Sequence, residues 1–468
     1  MAGRIEFGFN FNSQTQDQNL AQSNYGLMRI YIFGDFSGRS QNSNKESTIA
    51  TIDIDNFDQV IARLKPTIKI NTDCELNFTE LEDFHPDYIY SNSSIFNNLK
   101  RLKKELTNPQ TSQQAADEIR ALYQAAPEKM DIENELNKKD TIDTIERLLG
   151  QAPSKSIKQL DESSGLDTFL DNLFKPHLSA ETTPEIQDLI AFIDSVIEQL
   201  MKSILHSSDF QQLESIWRST FDLLFNEETD ENQMFYLVDV TKQEFFDDIN
   251  SNGINQSSIA RKLINTGMQD IDEQPYTLLI GNYQFSVIDD IEFLGLIAEF
   301  AKNFNSSFVT AVDKTFIEDY VLDDQAINQQ WEDFRATQAA EWVALTYPRI
   351  LLRVPYGKGL EETDNFPFEE FRERHKHEQL LWGNSAFACA RLLIRQYLNP
   401  QFAGSSEIND LPAYTYKQEG DQVLQACGEE LMNEQLVNKI YAQGIIPFIS
   451  FRNRNSVRLL GFQSTAIK

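Results

Sequence analysis

Cysteine and histidine are scarce in this chain of 468 residues, and that scarcity limits its chemistry. The three cysteines, Cys74, Cys389 and Cys427, are odd in number and far apart, so they form neither a disulfide framework nor a CxxC site. On that ground the chain reads as cytoplasmic. Five histidines (His85, His177, His206, His375 and His377) leave little room for imidazole catalysis. RERHKHEQLLW begins like the zinc motif HExxH, but position 381 is Leu, so the second ligand is missing. Two positions apart on a helix, His375 and His377 would point roughly 200° away from each other, as at a solvated helix start. Basic residues are also few: 41 against 72 acidic ones give a net charge of −31. Such a surface repels phosphate, which argues against nucleic acid or anionic membrane as a partner. No apolar run approaches the roughly 20 residues that span a bilayer. Residues 1–27 lack the basic start and apolar stretch of a signal peptide.

Catalytic signatures are missing too. GDFSG, Gly34 to Gly38, carries Ser37 in the fourth place and is not the GxSxG nucleophile elbow. YGKGLEE lacks the phosphate-loop spacing and the hydroxyl after Lys358. Carboxylates are plentiful, but no spacing singles out an acid–base pair. The expectation is a protein that is not an enzyme and needs no cofactor or metal.

Apolar periodicity is what the chain has in quantity. MRIYIF reads as a buried strand, and GDFSGRS as the turn that ends it. STIATIDIDNFDQVIARLKPTIKI predicts a strand near Thr51–Ile54, Asp55 as a helix N-cap, and a helix burying Phe57, Val60, Ile61 and Leu64. LNFTELEDFHPDYIYS adds a strand and a loop. SIFNNLKRLKKEL places Ile95, Phe96, Leu99, Leu102 and Leu106 on one helical stripe. Residues 25–106 thus predict a compact αβ lobe. Residues 107–182 are polar with weaker helical stretches, which predicts a helical, flexible connector. Residues 183–468 alternate strands and helices, so the class is α/β. There TPEIQDLIAFIDSVIEQLMKSIL predicts a long amphipathic helix, and FYLVDV a strand followed by the capping box Thr241 to Glu244. YTLLIGNYQF, SSFVTAV and PRILLRVP predict strands, and DDIEFLGLIAEFAKNF and HEQLLWGNSAFACARLLIRQYL helices. GIIPFISF, an NRN turn and SVRLLGF predict a closing hairpin.

Both termini carry unusual material. In RIEFGFNF, Ile5, Phe7, Phe9 and Phe11 share one face of an extended strand, and a polar, Gln- and Asn-rich tether follows. Residues 1–24 therefore predict a strand arm that either folds back onto the sheet around MRIYIF in its own chain or pairs in another chain. Residues 435–468 hold Lys439, Arg452, Arg454, Arg458 and Lys468 and no acidic residue. On a chain this acidic, Arg452, Arg454 and Arg458 are candidates for a charged contact with a neighbour.

IFGDFSGR (32–39), IDIDNFDQVIARLKPTIKI (52–70) and LNFTELEDFHPDYI (76–89) resemble the small subunit of the bacterial type VI secretion contractile sheath (TssB/VipA-like). DFQQLESIWRSTFDLLF (209–225), YTLLIGNYQFS (276–286), YPRILLRVPYG (347–357), FPFEEF (366–371), LLWGNSAFACARLL (380–393), DLPAYTY (410–416) and QGIIPF (443–448) resemble the large subunit (TssC/VipB-like). The chain looks like a fusion of the two, in that order. The resemblance implies two αβ lobes of phage tail-sheath type joined by the connector. It implies a structural role in a helical polymer that contracts around an inner tube of hexameric rings. Expected partners are other copies of the chain, the inner-tube protein, baseplate proteins and an AAA+ unfoldase. In that family, terminal strands insert into neighbours' sheets, which makes the arm an expected donated strand.

The resemblance has one gap. The region that follows QGIIPF in the usual large subunit has no counterpart before Lys468. That leaves open a second expectation, a baseplate, cap or adaptor protein of the same machine that does not polymerise.

Overall fold

MRIYIFG forms strand β1 (Met28–Gly34), buried along its whole length. A strand apolar on both faces needs layers above and below and a neighbour on each edge. In the computed structural model the described residues are 27–39, 47–71, 74–124, 186–227, 233–267, 276–318, 329–371, 376–398, 406–418 and 421–467. The neighbours of β1 come from far along the chain. It runs parallel to β5 (Gln233–Asp239) on one edge and to β6 (Tyr276–Phe285) on the other.

The sheet continues from β6 through β7 (Ser307–Val312), β8 (Val343–Tyr347) and β14 (Ile445–Ser450), all parallel. Antiparallel strands finish both ends. β2 (Thr48–Ile52) pairs with β5, while β15 (Val457–Leu459) and β11 (Glu407–Ile408) extend from β14. The nine strands therefore run β11-β15-β14-β8-β7-β6-β1-β5-β2. Three small antiparallel pairs stand apart: β3 (Thr67–Asn71) with β4 (Cys74–Asn77), β9 (Ile350–Leu351) with β10 (Trp382–Gly383), and β12 (Thr415–Gln418) with β13 (Asp421–Leu424).

Helices cover both faces. On one lie α1 (Phe57–Leu64), α3 (Asn97–Thr107), α5 (Ile186–Leu205), α6 (Ser208–Asn226) and α11 (Ser385–Leu398). Between α1 and α3 comes the short α2 (Pro86–Asn92), and α4 (Ser112–Gln124) packs on α3 through Ala115, Ala116 and Ile119. The other face carries α7 (Lys242–Asn252), α8 (Ser258–Asn265), α9 (Val287–Asn303), α10 (Gln329–Arg335) and α12 (Glu434–Ala442). Strand alternation divides β1 between the two: Met28, Ile30 and Ile32 join the first core, Tyr31 and Phe33 the second. Tyr31 stacks on its ladder partner Tyr236, and Phe33 on Phe245.

This architecture corrects the two-lobe expectation. β5 is bracketed by β1 and β2, and β1 by β5 and β6, so early and late segments interleave in one sheet. Full burial of a large apolar side chain contributes about 1.5–3 kcal/mol. Extracting the five large apolar side chains of β1 would therefore cost on the order of 10 kcal/mol. Packing also continues past residue 106 into α4; the remainder of the expected connector, 125–182, lies outside the described residues.

Smaller corrections have local causes. β2 begins and ends before the predicted Thr51–Ile54. The residue ahead of α1 is Asn56, not Asp55, and it closes a reciprocal pair of hydrogen bonds with Asp53. PRILLRVP supplies the two residues of β9, while the sheet strand is the preceding VALTY; Pro348 lacks the N–H a ladder needs. The helix predicted from His377 begins at Ser385. Asn384 redirects the chain, accepting from the Ala386 amide at 2.9 Å and donating to the Tyr283 carbonyl at 2.9 Å.

Candidate functional site

The turn after β1 is built as an anchor. Asp239, the last residue of β5, accepts from the Phe36 amide (2.9 Å), the Ser37 amide (3.3 Å) and the Ser37 hydroxyl (2.7 Å). Burial pushes its carboxyl above the usual range, and these donors work against that shift. Arg39 grips Glu244 with Nε and Nη2, at 3.1 and 2.8 Å. Glu244 also closes the capping box of α7 by accepting from the Thr241 amide at 3.0 Å. Burial opposes its charge, but Arg39 and Thr241 hold the carboxyl below its ordinary value. From α6, Trp217 Nε1 donates to the Phe36 carbonyl at 3.0 Å. Gly38 has φ +69, and a Cβ there would stand 2.2 Å from the Thr67 carbonyl oxygen, so the turn needs glycine.

A second cluster lies under α6. Arg353 donates from Nε to Glu214 (3.0 Å) and from Nη1 and Nη2 to Glu370 (2.8 and 3.3 Å). Arg218 bridges Glu214 (2.7 Å) and the Tyr356 hydroxyl (3.1 Å), while His206 Nε2 meets Glu370 at 3.1 Å. The Arg353 guanidinium also lies 4.3 Å from the centre of the Tyr356 ring. Glu214, Arg353 and Glu370 are all buried. Burial alone would raise Glu370, yet Arg353 and then His206 hold it at about 2.

Further joints repeat the pattern. Arg391 reaches Asp222 (2.8 Å) and Glu227 (3.3 Å), and Arg395 reaches Glu227 (2.8 Å). Asp87 accepts from the Asp364 and Asn365 amides at 2.8 and 2.9 Å, and Tyr90 stacks on Phe366. Thr310 and Asn384 both donate to the Tyr283 carbonyl at the irregularity in β6, where Gly281 leaves room for the Phe308 ring.

These contacts tie segments together. Among the described residues no group of three or more His, Cys, Asp or Glu could hold a metal. His377 is a structural peg, not part of a solvated helix start: it opens a short 3-10 turn, and its Nε2 meets the Glu429 carbonyl at 2.6 Å. His375 lies outside the described residues, as do Ile5, Phe7, Phe9 and Phe11. Arg452, Arg454 and Arg458 are exposed around the β14–β15 turn and form no ion pair among the described residues. Arg454 lies 5.7 Å from the centre of the Phe451 ring, and Arg458 faces Glu407 in the ladder.

The buried ion pairs have no counterpart among the predicted site residues. The signal for two of them is a charge inside an apolar run, Arg353 in ILLRVP and Arg391 in AFACARLLI, whereas Glu214 in QQLESIW has polar neighbours and stands out less. A charge so placed is rarely buried unless paired.

The clusters gather residues from separate stretches of the chain: Glu214 and Arg218 from 209–225, Arg353 and Tyr356 from 347–357, Glu370 from 366–371. Residues 187–466 match the family model described as the EvpB (VipB) tail sheath N-terminal domain. The chain belongs to the type VI secretion tail-sheath family. Residues 4–141 match the type VI secretion system VipA family, so both kinds of sheath segment occur in one chain. The chain is similar to the type VI secretion system sheath protein TssC1 of Pseudomonas aeruginosa, with 25% identity over 311 residues. That match covers 61% of this chain and spans 62% of the relative's length. Within this sheath-family chain the VipA-type segment supplies β1 and β2, and the VipB-type segment supplies their ladder partners β5 and β6. No described helix is long and apolar enough to cross a membrane.

Proposed function

We propose that this protein is a structural, self-assembling component of a contractile type VI secretion sheath. In this reading its copies pack around an inner tube, and a change of packing drives the tube through a target membrane. The observation that carries it is the interleaved sheet, in which VipA-type and VipB-type strands are hydrogen-bonded into one body. Such a body suits transmission of force between copies, because its halves cannot slide apart without exposing the core. The inner-tube protein, baseplate proteins and an unfoldase are the partners the family relationship suggests. A cytoplasmic assembly attached to the envelope through a baseplate fits the same reading.

Copies are joined in this proposal by the arm at Ile5, Phe7, Phe9 and Phe11, with Arg452, Arg454 and Arg458 as a charged contact. Both edges of β1 are already taken, so an arm that folded back onto its own sheet would have to pair with an end strand. Electron microscopy of the full chain beside a deletion of residues 2–20 tests the reading. Tubes or stacked rings from the full chain alone support it. Monodisperse particles even with the cognate tube protein added would favour a cap or adaptor and sink it.

A further inference from the structure

Taking β1 out of the strand order leaves the sheet in two parts. β6, β7, β8, β14, β15 and β11 stay joined by their own ladders, and β5 stays joined to β2. No ladder links one part to the other. Among the described residues β1 alone is bonded to both, along Met28–Gly34 with β5 and along Met28–Phe33 with β6.

Side chains repeat this arrangement. The Phe33 ring lies between Phe245 of α7 and Phe308 of β7, with centres 5.1 and 5.8 Å away. Direct packing also crosses the gap, from Phe245 to Phe293 and Phe300 of α9. Both ends of β1 are fixed to the β5 side. Arg29 Nη1 donates to the Gly267 carbonyl at 2.6 Å, and the Tyr31 hydroxyl meets Thr266 Oγ1 at 2.8 Å, just beyond α8. At the far end the Val240 amide donates to the Gly34 carbonyl at 2.9 Å, and Asp239 and Glu244 hold the turn that follows.

Distance along the chain separates the two kinds of pairing. Leu278 of β6 meets Ser307 of β7, and Phe308 meets Val343 of β8, each about 30 residues on. Met28 meets Gln233 and Tyr276, about 200 and 250 residues on. Longer loops cost more entropy to close, and that cost falls before the contacts repay it. Nor can β1 or β2 pair early, since no described residue before Gln233 is a ladder partner of either.

We infer that β1 is a keystone: it is inserted last, and with β2 and β5 it opens as a unit ahead of β7, β8 and β14. The strand synthesised first is thus paired last. Joining the VipA-type strands to the VipB-type sheet is then a distinct step, and it decides when a copy is complete. The inference rests on the interleaved sheet and not on the sheath reading.

Hydrogen exchange on the unassembled full chain tests it. Amides of β1 and β5 are expected to exchange roughly tenfold faster, or more, than those of β7, β8 and β14. Ile446→Val, at a fully buried position of β14, is expected to speed exchange in β7, β8 and β14 about fivefold. It should leave β1 and β5 unchanged, because their opening keeps β14 folded. Ile30→Val, in β1, is expected to speed exchange in all five strands about fivefold, because complete unfolding includes release of β1. If both variants speed all five strands alike, the keystone is overturned and the sheath reading stands. Pulse labelling during refolding gives a second readout, with protection of β7 and β8 expected before that of β1 and β5. Protection of β1 and β5 as early as β7 and β8 would likewise overturn the inference.

Discussion

Replacing Arg353 with methionine keeps most of the side chain's length and removes the cation shared by Glu214 and Glu370. Glu214 keeps Arg218, and Glu370 keeps His206 and the Tyr356 amide, but each loses its buried guanidinium. Breaking a buried ion pair by removing one partner costs about 3–5 kcal/mol. A second route gives a similar figure: a carboxyl held at about 2 instead of its ordinary 4.5 contributes roughly 3 kcal/mol. For 468 residues, an unfolding entropy near 2.1 cal/mol/K per residue amounts to about 1 kcal/mol/K. The expected fall in Tm at neutral pH is therefore about 3–5 °C, read by circular dichroism on unassembled protein. The pH dependence carries a sign. Because the folded value of Glu370 lies below its unfolded value, its contribution is full above about pH 4.5 and is lost as pH falls towards about 2. Without Arg353, burial pushes the same carboxyl upward, so the variant is relieved as Glu370 takes up a proton. The gap between wild type and variant should narrow from about pH 7 to about pH 4. A fall of less than about 1 °C, or a gap that widens on acidification, would refute the reasoning.

Other perturbations probe other joints. Gly281→Ala places a Cβ 2.6 Å from the Phe308 ring and should cost about 1–3 kcal/mol by denaturant unfolding; Phe308→Leu in the same chain should recover part of it. A specific protease site introduced near Gly150, then cut, should leave two pieces that co-elute until denatured, because β1 lies between β5 and β6. Separate elution under native conditions would contradict the interleaved sheet. Reversing Arg452, Arg454 and Arg458 to glutamate should leave monomer stability within about 0.5 kcal/mol. The same change should weaken assembly most at low salt, where surface charges are least screened, as followed by sedimentation.

Elements carried by strong local signals were legible in the sequence. MRIYIF is a buried strand, Ile95 to Leu106 form one buried stripe, Thr241 and Glu244 close a capping box, and SVRLLGF returns beside GIIPFISF. Weak or competing signals went astray. PRILLRVP was predicted as the strand where VALTY forms it, and the helix predicted from HEQLL was displaced by Gly383 and Asn384. A Cβ at position 383 would stand 2.7 Å from the Leu352 side chain, so that glycine serves a close crossing that no helical period reveals.

By itself the sequence determined most of the strands and helices and which side chains seek the interior, because those follow from local periodicity and composition, while the family resemblance rested on motifs in order, LLWGNSAFACARLL among them. Only the tertiary structure decided that β1 threads between β5 and β6, that β2 ends the sheet among the described residues, and that Arg353 meets two carboxylates from other segments. Strand pairing is selected by burial of both faces and both edges at once, and ion pairing by which buried charges arrive within reach. Neither condition can be evaluated one segment at a time.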